Sequence, residues 1–183
     1  MKIDKLWNGL KRIANGDYVL EGDLISEETI EIDLNDRFVV RGRIQTKKSI
    51  VVRCGIEAGC GIKAGEGIKA GWGIEAGWGI EAGCGIEAGC GIEAGCGIKA
   101  GEGIKAGWGI EAGWGIEAGC GIEAGWGIEA EKFIDVQKRI FAGISVYRTS
   151  RDCDKTIRCA ELRNGEICYG DLTLTKEGKP DEG

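Results

Sequence analysis

Residues 55–130 read GIEAGC GIKAGE GIKAGW GIEAGW GIEAGC GIEAGC GIEAGC GIKAGE GIKAGW GIEAGW GIEAGC GIEAGW GIEA. The unit G-I-[EK]-A recurs thirteen times without slippage, with Ile at 56, 62, 68 and every sixth position to 128. A period of six is a multiple of two but not of 3.6, so each unit reads as a short strand. The same phase runs outward through Ile32, Phe38, Ile44 and Ile50, and beyond through Ile134, Ile140 and Val146. A phase that survives while the motif degenerates predicts one continuous parallel β-helix over residues 18–147. Of the 34 glycines, 25 lie within residues 55–130, and with one Pro in the chain collagen is excluded.

The charges set the length of one coil. If residues 18 apart stack about 4.8 Å apart, the position after each Ile forms three columns. One is Glu57, Glu75, Glu93, Glu111 and Glu129; the second is Lys63, Glu81, Lys99 and Glu117; the third is Lys69, Glu87, Lys105 and Glu123. Two columns then alternate in sign, as neighbouring strands prefer. A twelve-residue coil would often put Glu on Glu in both of its columns. A three-sided, all-β solenoid of about 18 residues per coil is expected.

Ile and Ala share the inward face, with Glu or Lys between them facing water. The sixth position alternates large with small: Cys54-Trp72-Cys90-Trp108-Trp126, Cys60-Trp78-Cys96-Trp114, and Glu66-Cys84-Glu102-Cys120. Two arrangements fit. In one, Trp and Cys interleave in the corners of the core while Glu66 and Glu102 swing out, because an unpaired buried carboxylate is costly. Alternatively Trp72, Trp108, Trp126, Trp78 and Trp114 form an exposed aromatic ladder. The size alternation favours the first.

The flanks read as caps. Ile3, Leu6, Trp7, Leu10 and Ile13 recur at helical spacing, so residues 2–14 are expected to form an amphipathic helix with Lys2, Lys5, Lys11 and Arg12 outward, within an N-terminal cap of residues 1–17. Residues 18–53 form irregular first coils: LEGDLIS and VRGRIQT align at a separation of 20, which implies a two-residue insertion near Asn35-Asp36. Residues 148–175 read as a β-hairpin cap turning at Asn164-Gly165. Phe133, Phe141 and Tyr147 are expected to pack over the last coil, and residues 176–183 to be a disordered tail.

The net charge of −6 argues against direct contact with nucleic acid. The opening residues carry no uninterrupted apolar run, so neither a signal peptide nor a membrane span is expected, and a cytoplasmic location follows by default. In an eighteen-residue coil the array cysteines lie two coils, about 9.6 Å, apart, too far for disulfides. Free thiols are expected, and no zinc site, because the ligands would fall on different sides. The chain has no His, and its carboxylates occupy repeating environments that give no acid–base pair. No catalytic residue, metal or cofactor is assigned, and no enzyme activity is expected.

The segments LEGDLIS, VRGRIQT and SIVV resemble coils of the bactofilins, bacterial β-helix scaffolds that polymerise end to end, and this likeness implies a right-handed wind. The G-I-E-A-G array with its IFAGISVYR exit is similar to uncharacterised hexapeptide-repeat β-helix proteins of Firmicutes and their phages, which implies no particular activity. The hexapeptide acyltransferases share only the period of six.

The expected function is that of an interaction protein. The ridge Glu57, Glu75, Glu93, Glu111, Glu129 would face a protein partner, one with a basic nucleic-acid-binding groove, as a phage-type inhibitor that mimics a polyanion. The chain would be a monomer, or a homodimer through its C-terminal cap. A self-assembling scaffold, and a carbohydrate or ice binder using exposed Trp, are the alternatives.

Overall fold

A computed structural model describes residues 1–4, 7, 9–144 and 154–175. Among them lie twenty-five strands and no helix. Within the array the strands are Ile-[Glu/Lys]-Ala, three residues long except for Gly115–Ala118, with Ile and Ala buried and the residue between them facing outward.

Within the array, strands pair in parallel with neighbours eighteen residues away: Ile62 on Ile80, Lys63 on Glu81, Ala64 on Ala82. The strands therefore fall into three stacks. The first contains Ile56–Ala58, Ile74–Ala76, Ile92–Ala94, Ile110–Ala112 and Ile128–Ala130. The second contains Ile62–Ala64, Ile80–Ala82, Ile98–Ala100 and Gly115–Ala118. The third contains Ile68–Ala70, Ile86–Ala88, Ile104–Ala106 and Ile122–Ala124. This is a β-solenoid with an eighteen-residue coil.

Its stability comes from the interior. Every Ile and Ala of the array is buried, and a fully buried Ile contributes about 1.5–3 kcal/mol. The exposed pairs Lys63–Glu81 (2.9 Å), Lys69–Glu87 (3.2 Å), Lys99–Glu117 (2.7 Å) and Lys105–Glu123 (3.2 Å) bridge adjacent coils. Each adds about 0–1 kcal/mol, so they act on register more than on stability.

The glycine after each Ala is required by stacking. A Cβ on Gly83 would stand 2.0 Å from the Gly65 carbonyl oxygen of the preceding coil. No array glycine has positive φ; that conformation belongs to Gly9, Gly16, Gly22, Gly143, Gly165 and Gly170. In the first coils the separation is 20, with Tyr18 on Phe38, Leu24 on Ile44 and Ile30 on Ile50. Ile32 keeps the six-residue count to Phe38 only through the insertion; it occupies the Ala position and pairs with Val52.

Both flanks differ from expectation. The N-terminal segment is not a helix. Lys2–Ile3 pairs in parallel with Glu31–Ile32, and Lys11–Arg12 pairs antiparallel with Tyr18–Val19. Open strand edges demand backbone partners, which strands supply and a helix cannot. Gly9, at φ 111°, also interrupts the helical spacing. Lys5 and Leu6 lie outside the described residues.

At the other end the described strands form no hairpin. Glu161–Tyr169 runs parallel to Phe133–Ala142, a ten-residue strand that passes through the second and third stacks and joins them into one sheet. Asp171–Leu174 then lies parallel on Thr156–Cys159, which itself pairs with the first stack. Residues 156–174 thus continue the solenoid. Asn164-Gly165 forms a corner where the pairing shifts register, and Gly165 takes φ 122°. Phe133 is buried against Gly115 with the Arg163 guanidinium 3.7 Å from its ring centroid, while half-buried Phe141 sits on the side of the third stack beside Glu123. Neither covers an end. Val146, Tyr147, residues 148–153 of the expected cap and the tail 176–183 lie outside the described residues. Among the described residues no helix is long and apolar enough to cross a membrane.

Candidate binding groove

The sixth position of each hexad faces solvent. Trp72 and Trp108 are each 51% exposed, Trp114 57% and Trp78 64%; Glu66, Glu102 and Cys96 are exposed as well. Only Cys54 turns fully inward. The interleaved-corner arrangement is therefore corrected in favour of the aromatic ladder. Ile and Ala already fill the interior, and the glycine beside each corner lies against the preceding coil, which leaves no inward space for an indole.

Trp72, Trp108 and Trp126 form one wall of a groove that runs along the first stack. Gly73, Gly91, Gly109 and Gly127 form its floor, and Glu75, Glu93, Glu111 and Glu129 its opposite wall, enclosing about 780 Å³. The local sequence W-G-I-E dictates this shape. The glycine after Trp has no side chain, Ile points inward, and Glu is the next group to emerge. Trp108 and Trp126, on consecutive coils, stack with centroids 5.4 Å apart and planes 7° from parallel.

The acidic column is continuous: Glu57 pairs with Glu75, Glu75 with Glu93, Glu93 with Glu111, and Glu111 with Glu129. Its ends are neutralised by arginines from outside the repeat. Arg37 bridges Glu57 at 2.9 Å and also donates to Glu75. Arg158 stands in register with Glu129 and donates to both its carboxylate oxygens, at 3.2 and 3.0 Å. Among the described residues no Lys or Arg lies within ion-pair distance of Glu93 or Glu111. Loss of hydration, followed by the charges of Glu75 and Glu111, raises the Glu93 carboxyl above the ordinary range.

Arg37 was legible as the break in the glycine column that continues at Gly55, Gly73 and Gly91. Arg158 was hidden by the longer interval separating it from Glu129.

Two further grooves provide a contrast. Trp78 and Trp114 line one of about 600 Å³ on the second stack, but its opposite wall is Lys63, Glu81, Lys99 and Glu117. The other, about 1130 Å³, follows the third stack with Lys69, Glu87, Lys105 and Glu123 and has no indole. In both, the Glu and Lys of these columns pair with one another. Only the first groove joins indoles to unpaired carboxylates.

Cys60, Cys84, Cys90, Cys96, Cys120, Cys159 and Cys168 are free thiols, as is Cys54, whose burial pushes its pKa up to about 11. Cys153 lies outside the described residues. Among the described residues no three Cys, Asp or Glu converge as a metal site would require. No family model, curated protein or solved structure matches the chain, so the functional reading rests on this geometry.

Proposed function

We propose that this protein is a non-enzymatic binding protein that receives a basic, extended segment of a partner protein in the groove of the first stack. In this reading the three stacks are the sides of one right-handed, three-sided solenoid, which presents Trp72, Trp108 and Trp126 beside Glu75, Glu93 and Glu111. The observation that carries it is the conjunction of half-exposed indoles with two carboxylates, Glu93 and Glu111, that have no ion-pair partner among the described residues.

Contiguous exposed aromatics mark interaction sites. Carboxylates beside them select cationic side chains, because Arg and Lys meet both the ring face and the charge. Mimicry of a nucleic-acid backbone has less support. Arg37 and Arg158 occupy Glu57, Glu75 and Glu129, leaving two free charges, whereas a duplex strand carries one about every 3.4 Å.

The test is a tryptophan-fluorescence titration with an Arg/Lys-rich peptide, an acidic peptide and a neutral oligosaccharide. A saturable response to the basic peptide alone, lost in Trp108→Leu, supports the reading. Response to the oligosaccharide alone would transfer the site to glycan binding, and silence in all three arms would remove the proposal.

A self-assembling scaffold is the second reading. It draws on Asp171–Leu174, the last strand of its sheet among the described residues, where Leu172 and Leu174 are exposed.

A further inference from the structure

Within the groove, the coil of Cys90 differs from those on either side. The column above its floor runs Trp72, Cys90, Trp108, so a small side chain stands between two indoles. Coils lie about 4.8 Å apart, which sets the two rings about 9.6 Å apart and leaves a slot at the level of Cys90. Because Trp108 stacks on Trp126 with nearly parallel planes, its face looks along the solenoid and its free face is turned to this slot. A group seated midway lies about 4.8 Å from each ring, inside the roughly 6 Å range of a cation–π contact. The next outward side chain on the same coil is Glu93, which stands in register with Glu75 and Glu111 and, among the described residues, has no Lys or Arg within ion-pair distance. Gly91 forms the floor.

Resting on the groove reading, we infer that Trp72, Trp108 and Glu93 form a cation cage that takes the ammonium or guanidinium head of one Lys or Arg side chain of the partner. The two ring faces supply the attraction of their quadrupoles, and Glu93 supplies the counter-charge. A neutral group of the same size would gain neither.

The solenoid contains its own control. Trp78, Cys96 and Trp114 repeat the arrangement one corner further on, but the outward residue on that coil is Lys99, held by Glu117 at 2.7 Å. The same indole slot there faces a cation, so it rejects the ligand that the first slot accepts.

The experiment follows the indole N–H signals of isotope-labelled protein during titration with tetramethylammonium, Nα-acetyl-arginine amide and the neutral isostere 3,3-dimethyl-1-butanol. Saturable shifts are expected for Trp72 and Trp108 with both cations, with Trp78 and Trp114 unmoved. Glu93→Gln, isosteric and on the surface, weakens binding about tenfold, while Trp114→Leu leaves it unchanged. Equal response to the neutral alcohol, equal shifts at Trp78 and Trp114, or indifference to Glu93→Gln would overturn the cage. Basic-peptide binding that persists unchanged in Glu93→Gln and Trp72→Leu would overturn the cage and leave the groove. Binding of the small cations without any basic peptide would support the cage and remove the peptide partner.

Discussion

Trp108 and Trp126 lie face to face because the column at this corner places two indoles on consecutive coils only once. Everywhere else in it a Cys separates the rings. A stacked pair gives an exciton couplet in the circular dichroism of the indole bands, and Trp126→Leu is expected to abolish it. The pair contributes about 0.5–1.5 kcal/mol beyond burial, so the variant should stay folded with a slightly lowered unfolding midpoint. A couplet that survives the substitution would show that the rings do not stack.

Glu93→Gln should stabilise the protein at neutral pH. In its ionised form Glu93 stands between Glu75 and Glu111, and like charges on paired strands cost about 0.2–1 kcal/mol. Its pKa is raised in the folded state, chiefly through lost hydration and then by those two charges. The protonated form therefore favours folding: the stabilising contribution is complete below the unfolded carboxylate pKa and disappears as pH rises through the elevated folded value. Denaturation midpoints of wild type and Glu93→Gln should converge in acid and separate at neutral pH, with the variant higher. A more stable variant that binds basic peptide less well would identify the charge as kept for binding.

Gly83→Ala tests the stacking requirement. Its Cβ would meet the Gly65 carbonyl oxygen at 2.0 Å, and a backbone atom cannot swing aside. The expected loss is about 1–3 kcal/mol. Gly85→Ala, two residues away, meets Gly103 oxygen at 3.3 Å and should cost clearly less. Equal midpoints for the two variants would contradict the close approach.

The regular array was the most legible part of the chain. Its lap length could be read because Lys63, Glu81, Lys99 and Glu117 alternate only when residues eighteen apart are neighbours, and that is the observed pairing. The direction of the Trp side chains was not legible. Strict alternation sends them inward, and the opposing fact, Gly83 pressed on the preceding coil, exists only once the coils stack. At the N-terminus, Ile3 fits a helical stripe as well as it fits the strand it forms on Ile32, and a two-residue strand shows no period. Asn164-Gly165 signalled a chain reversal, but there the strand Glu161–Tyr169 only shifts register, with Gly165 at positive φ, and local sequence does not distinguish the two. The groove itself was half legible: its Glu column was read from the sequence, whereas Arg37 and Arg158, which close its ends, come from outside the repeat.

Thiol reactivity should follow position. Burial raises the pKa of Cys54 to about 11 and that of Cys159 in the same direction, so neither presents thiolate near neutral pH. Cys96 and Cys168 are exposed. Limited alkylation at pH 7.5, mapped by mass spectrometry, should modify Cys96 and Cys168 first and leave Cys54 and Cys159 protected until the protein is denatured. Early labelling of Cys54 would contradict its inward orientation.

The end of the solenoid gives the last prediction. Asp171–Leu174 pairs with Thr156–Cys159 on one side, and its alternating Leu172 and Leu174 are 40% and 58% exposed. An outer strand with apolar side chains is a template for further strand pairing, and charge on such an edge opposes it. If the scaffold reading holds, light scattering should grow with protein concentration, and Leu174→Lys should suppress that growth while leaving basic-peptide binding intact, because the groove lies along the side of the stack. Mass that stays constant with concentration in both proteins would remove the scaffold reading and leave the groove as the functional surface. Growth that persists unchanged in Leu174→Lys would place self-association elsewhere on the chain.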